Sequence, residues 1–339
     1  MVVFASPYVL VGSAATARTN WRRHAGLLVL IVAGAALLLA VASSVRLPVA
    51  PVLGAVGATS LSGLLLAERD GGPAVVLLHG VGDSSTNQGM ASLCDSVRQR
   101  IPGSYVVCAS VAEGTASLTM SMEAQIDALA ASLAADARLA SGFHAIGLSQ
   151  GGLVLRGYVE RCVAPPVRRL ITISTPHSGI GACPTGKLWA YLCPLFAWSP
   201  YGLPITFSDY WKDVAAGREA YLSSSRWLAD VNNERRNQAD DRRLAVRRAG
   251  MLALERYVLV EAVNDSFVVP RQSTTHGYWA WGHKGVVVPM RQTPEYREDR
   301  LGLRSLDESG RLRMFGFQGD HLEFNASFWV GAVLAQLQD

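Results

Sequence analysis

From Gly142 to Tyr158 the chain reads "GFHAIGLSQGGLVLRGY", in which an apolar run, a serine between glycines and a helix-forming run follow one another directly. Gly147-Leu148-Ser149-Gln150-Gly151 fits the Gly-x-Ser-x-Gly pattern. In that pattern a strained strand-to-helix turn pushes a hydroxyl clear of a sheet, and the glycines remove clashes. A plain tight turn satisfies the same five positions, so the surrounding chain decides between the two.

That surrounding chain alternates strand-like and helix-like segments. Ala74 to Leu78 is a continuous apolar run, as expected of a strand buried on both faces, and Tyr105 to Val111 is a second. Between them Met90, Leu93, Cys94, Val97 and Ile101 recur at helical spacing, which puts Cys94 on an apolar helix face as core. Met122, Ile126, Leu129 and Leu133 repeat the signature before a short strand at Phe143 to Ile146. Strands follow at Leu170 to Ser174, Tyr257 to Ala262 and, more weakly, Leu312 to Phe317, and Phe324 to Leu337 closes the chain as a helix. The alternation predicts an α/β fold, a mostly parallel sheet flanked by helices. Gly179 to about Gly250 breaks the rhythm with prolines and glycines and is expected to be an insertion over the sheet.

Residues 1–46 form a leader whose run 25–45, "AGLLVLIVAGAALLLAVASSV", carries no charge. At about 1.5 Å per residue it is just long enough for a bilayer core of roughly 30 Å. It reads as a signal peptide cut near Ala40-Val41-Ala42 or as an uncleaved anchor. Arg18, Arg22 and Arg23 precede the run and Arg46 alone follows it, which predicts a translocated C-terminal body after the linker 47–72. The net charge of +4 lies largely in that leader, so the body offers nothing to nucleic acid. Five cysteines suit an exported protein with one or two bridges, and Cys183 and Cys193, flanking a short loop, are the expected pair. Asn264-Asp265-Ser266 and Asn325-Ala326-Ser327 satisfy the glycosylation pattern.

A serine hydroxyl needs a base to take its proton and an acid to orient that base. In the α/β-hydrolase fold these follow the serine in the order acid, then histidine, each after a later strand. Asp265 follows the strand ending at Ala262, and His321, in "GDHL", follows the strand ending at Phe317. His276 and His283 also come after Asp265, but no strand separates them from it, so His321 ranks first. Asp320 is read as a cap for the following segment. The oxyanion donors expected are the backbone N–H groups of Gln150 and of Val81, the latter in "HGVGDS". His79 and His177 read as braces of their loops, and His144 as core. Metal-ligand spacings and a Gly-rich phosphate loop do not occur in the sequence, so no cofactor and no metal are expected.

With these motifs in line the sequence resembles the palmitoyl-protein thioesterases, lysosomal α/β-hydrolases that remove long acyl chains from cysteine thioesters. The likeness runs through "VVLLHGVGDS", "GLSQGG", "RCVAPPV", "WLADVNNER", "VNDSFVVP", "DRLGL" and "GDHL", covering about Pro73 to the C-terminus. "STPHSG" at Ser174 to Gly179 looks more like a general lipase. The resemblance implies Ser149, Asp265 and His321 as the catalytic set, Val81 and Gln150 as oxyanion donors, and a bridge at Cys183 and Cys193. Cys162 matches a family cysteine, whereas the partner position near Ala130 is not cysteine. It also implies S-palmitoylated proteins or fatty-acyl thioesters as substrates and a secretory or lysosome-like location. Trp189, Leu195, Phe196, Trp198 and Trp211 of the insertion read equally as the lining of an acyl groove and as ordinary core. Arg242-Arg243 and Arg247-Arg248 read as a solvated helix face, with contact to anionic headgroups as the alternative. The same triad serves a lipase or carboxylesterase, and a membrane-tethered acyl-binding protein is the reading without turnover.

Overall fold

Neighbouring residues of a strand point to opposite faces of a sheet, so a strand of five apolar residues needs a core on each side. Ala74–Leu78 (β1) is such a strand, and all five residues are buried in the computed structural model, which describes residues 72–183, 200–235 and 241–338. Ala74, Val76 and Leu78 pack into one hydrophobic cluster, and Val75 and Leu77 into another. The remaining strands are Tyr105–Ala109 (β2), Phe143–Leu148 (β3), Val167–Ile173 (β4), Arg256–Ala262 (β5), Tyr278–Ala280 (β6), His283–Val288 (β7) and Leu312–Phe317 (β8). Six of them form one parallel sheet in the order β2-β1-β3-β4-β5-β8. Strands β6 and β7 pair antiparallel in a separate hairpin that the sequence reading did not anticipate.

Parallel strands need crossover connections, and helices supply them on both faces. Gln88–Arg100 (α1) starts where Asn87 accepts a hydrogen bond from Gly89 N, and it buries Met90, Leu93, Cys94 and Val97 against one face. Met122–Ala134 (α2), capped by Ser121, and Gln150–Glu160 (α3) cover the other face. Every residue of α3 is buried, because Asp241–Leu252 (α4) packs over it: a Cβ on Gly250 would lie 2.1 Å from Val159 O. At the C-terminus, short turns over Ala326–Leu337 bury Trp329, Val333 and Leu334 beside α1. These layers and this strand order are those of an α/β-hydrolase.

The segment read as an insertion contributes Thr206–Asp209, Arg218–Ser224 and Leu228–Val231 as short helical turns, plus α4. Trp211 bridges to Ile180 and is buried in the main cluster rather than free to line a groove. Trp189, Leu195, Phe196 and Trp198 lie outside the described residues. So does the apolar run 25–45; among the described residues no helix is long and apolar enough to cross a membrane.

The cysteines differ from the sequence expectation. Cys94 is not simply core: it is bonded to Cys108, stapling α1 to β2. Helical spacing accounted for the burial of Cys94 without needing a partner, which is why the bridge was missed. Cys183 is disulfide-bonded, while Cys193 lies outside the described residues. Cys162 is free and exposed. Alkylation in denaturant without reductant should therefore modify Cys162 and spare Cys94 and Cys108, as peptide mapping would read. Replacing Cys94 and Cys108 together by alanine should lower unfolding stability by about 2–4 kcal/mol.

Candidate active site

The chain leaves β3 at Leu148 and enters α3 at Gln150, so Ser149 alone must turn it. Ser149 adopts φ 52° and ψ −123°, a left-handed conformation that non-glycine residues rarely take. The turn is possible because its flanks are bare: a Cβ on Gly151 would stand 2.3 Å from His79 O, and one on Gly152 would stand 2.0 Å from Thr175 Oγ1. Ser149 N–H donates to Ile173 O at 2.8 Å, and Thr175 Oγ1 donates to Ser149 O at 2.9 Å. Both bonds tie the turn to the end of β4.

Ser149 Oγ lies 3.0 Å from His321 Nε2, and His321 Nδ1 lies 2.9 Å from Asp265 Oδ2 and 3.1 Å from Oδ1. Facing an ionised carboxylate, Nδ1 carries the proton, which leaves Nε2 as acceptor for the serine hydroxyl. Asp265 follows β5 and His321 follows β8, the adjacent strand, so parallel strand ends bring acid and base together. The Asp265 carboxylate also accepts from Phe267 N at 3.0 Å and Val268 N at 2.8 Å, which fixes its plane. The Phe267 ring stacks on His321 with centroids 4.7 Å apart, and Phe207 of the insertion packs on Phe267 at 6.2 Å. Phe207 and Phe267, absent from the sequence-derived set, are the apolar groups that the fold brings to the base.

Asp320 does not act mainly as a cap. Its Oδ1 accepts from Ser266 N and from His321 N, each at 2.7 Å, and its Oδ2 accepts from Ser266 Oγ at 2.7 Å. It thereby ties the loop bearing Asp265 to the loop bearing His321. Hydrogen bonds from Ser266 hold its carboxyl below the usual carboxylate range against the opposing effect of burial, which is the largest single influence.

On the other side of Ser149, a Cβ on Gly80 would fall 3.1 Å from Ser149 Cβ, so the turn containing Val81 lies against the serine. That turn is braced from the next loop: Gly82 N donates to Ser117 Oγ at 2.7 Å, and Ser85 N donates to Glu113 Oε1 at 2.8 Å. His79 Nδ1 lies 2.8 Å from Gly80 O, in keeping with a bracing role. The side chain of Gln150 is occupied, donating to Ser117 O at 2.9 Å and Gln125 Oε1 at 3.1 Å and accepting from Tyr210 OH at 2.9 Å. Its backbone N–H opens α3, where the first amides of a helix have no acceptor within the helix.

The other histidines stand apart from this relay. His283 is exposed on the hairpin, and His144 is buried in β3. His177 and His276 stack at 4.5 Å, with Tyr257 OH 3.0 Å from His276 Nε2 and Thr172 Oγ1 2.9 Å from His177 Nε2. Burial drives both imidazoles well below their usual range; His276 and Arg156 add to the effect at His177, and Arg156 at His276. Both rings are thus neutral when folded, whereas in the unfolded chain they take up protons near pH 6.5. The unfolded state binds more protons as pH drops, so this contribution is whole above about pH 6.5 and lost below it. His276→Asn, which tolerates the left-handed φ of 59°, should flatten the fall of stability below pH 6.5 by up to about 1.4 kcal/mol per pH unit. Denaturant unfolding at stepped pH reads that slope, and an unchanged slope would contradict a neutral buried pair.

Comparison with known proteins bears on the same region. Residues 74–321 match the family described as palmitoyl protein thioesterase. Palmitoyl-protein thioesterase 1 of Caenorhabditis elegans is 31% identical over 274 residues, covering 77% of this chain and 90% of the relative. Palmitoyl-protein thioesterase 3 of Dictyostelium discoideum is 33% identical over 243 residues, covering 70% of this chain and 81% of the relative. The lysosomal thioesterase PPT2 homolog of Drosophila melanogaster is 28% identical over 244 residues, with coverages of 70% and 81%. The chain belongs to the palmitoyl protein thioesterase family and is a hydrolase of the thioesterase kind.

Proposed function

We propose that Ser149 is the nucleophile, His321 its general base and Asp265 the carboxylate that orients the imidazole, in hydrolysis of long-chain acyl thioesters on protein cysteines. The observation that carries this reading is the unbroken relay from Ser149 Oγ through His321 to Asp265, with contacts of 3.0 and 2.9 Å. Ser149 attacks the carbonyl carbon while His321 Nε2 takes the hydroxyl proton. The resulting oxyanion accepts hydrogen bonds from Val81 N–H and Gln150 N–H. Collapse breaks the carbon–sulfur bond, and the sulfur departs as a thiol with the proton returned by His321. Water then attacks the acyl-enzyme, gives a proton to His321, and releases the fatty acid as Ser149 regains its hydrogen. A thiol, with a pKa of about 8.5, is a better leaving group than an alcohol, so little acid assistance is needed.

Phe267 and Phe207, reaching from His321 into the insertion, support an apolar seat for the acyl chain. The names of lysosomal relatives support action in a lysosome-like compartment. Asn264 and Asn325 are both exposed, which supports glycans at these positions.

Ser149→Ala should lower turnover of a palmitoyl thioester by at least about 1,000-fold, and a fluorophosphonate probe should label the Ser149 peptide. Labelling elsewhere with activity intact would sink the assignment. A matched oxygen ester should turn over more slowly than the thioester, and the reverse order would favour a lipase. Asp320→Asn should lower kcat by about 10- to 100-fold with little change in KM, because it loosens the two loops that align acid and base.

A further inference from the structure

We propose that the β6/β7 hairpin docks on an anionic lipid surface. Gly282, His283, Lys284, Gly285 and Val286 at its tip are exposed in succession, and Val286, at 57%, is the most exposed large hydrophobic residue among those described. Trp279 and Trp281 stand half-buried behind the tip. Tryptophan suits a boundary where one end of a side chain is apolar and the other wet, and valine beside lysine adds apolar contact to positive charge.

Charge selects the occupant. From Pro270 to Thr293 the 24 residues include Arg271, Lys284 and Arg291 and no aspartate or glutamate. Arg271 and Arg291 are held by Glu261 and Asp307. Lys284 has no acidic partner among the described residues; its ammonium lies 5.7 Å from the centre of the Trp279 ring. A basic tip bearing an exposed valine matches an anionic bilayer, and lipid headgroups supply the counter-charge that the segment lacks. The same chain carries the uncharged run 25–45, long enough in sequence to enter a bilayer, and a tether raises the effective concentration of a second, weak contact.

The hairpin is held to the body both at its base and at the start of its turn. Tyr278 OH donates to Lys212 O at 2.7 Å and Gly282 N donates to Val214 O at 2.9 Å. Two residues before Lys212, Tyr210 reaches the side chain of Gln150 beside the nucleophile. One short stretch of the insertion therefore connects the lipid-facing tip to the site at which an acyl chain would arrive. The docking inference itself requires no turnover.

The test uses the full chain incorporated into phosphatidylcholine vesicles with or without phosphatidylserine. An environment-sensitive fluorophore is attached at Val286→Cys in a Cys162→Ser background. Its emission should shift to the blue when phosphatidylserine is included, and Lys284→Glu should remove the shift. A probe on Cys162 of the otherwise unaltered chain should not respond to the lipid change, which separates docking of the tip from mere tethering. Emission at position 286 that stays water-like in anionic vesicles, or that shifts equally with Lys284→Glu or on Cys162, would overturn the proposal. Short-chain thioester turnover, unchanged in the hairpin variants, serves as the check that they are folded.

Discussion

The first turn of α3 lies tight against the ends of β1 and β4. Gly147, Gly151 and Gly152 allow it: a Cβ on Gly147 would meet Gly152 Cα at 2.4 Å, and those on Gly151 and Gly152 would meet His79 O and Thr175 Oγ1. The consequence reaches beyond the turn itself. The carbonyl that Gly151 nearly touches belongs to the residue two before Val81, so one contact sets both the serine and the turn that faces it. A methyl group at Gly151 would have to push backbone, which cannot swing aside as a side-chain tip can, and serine and donor loop would separate together.

From that contact the alignment spreads through hydrogen bonds between loops. Asp320 joins the acid and base loops, so a displacement of either carries the other with it. Glu113 and Ser117 hold the turn after β1, and Gln150 ties α3 to α2 and to Tyr210. Ser117 and Gln150 are buried, where a lost partner leaves a desolvated polar group behind. Loops carry the reacting groups, yet little in their arrangement is left to the loops alone.

Much of this was legible in the sequence because it rests on local pattern. Strands buried on both faces, such as β1 and β5, announce themselves as unbroken apolar runs, and a strand followed by Asp265 or His321 locates a carboxyl-end loop. What escaped depends on pairing across the fold. The Cys94–Cys108 bridge was hidden because helix periodicity already explained Cys94. Asp320 was hidden because its partner, Ser266, lies 54 residues away and no spacing rule connects them. Phe207 and Phe267 meet only because the insertion folds back over the end of β5. The β6/β7 hairpin has a strand of three residues, too short for an alternation to register.

The joint beneath that hairpin departs most from what composition suggests. Lys212 is buried, with its ammonium 3.0 Å from Glu234 and between 5.0 and 5.2 Å from the ring centres of Tyr221, Tyr278 and Trp281. Desolvating an ion pair offsets much of its Coulomb attraction, so such a pair adds little net stability over an apolar contact. It is nevertheless directional. Glu234 comes from the insertion, Tyr278 and Trp281 come from the hairpin, and a cation that must face all of them fixes the angle at which the two segments meet. Apolar packing alone would tolerate sliding of one against the other. A hairpin whose base is locked in angle can hold an exposed tip in a fixed direction, and the insertion that locks it also presents Phe207 to the ring beside His321.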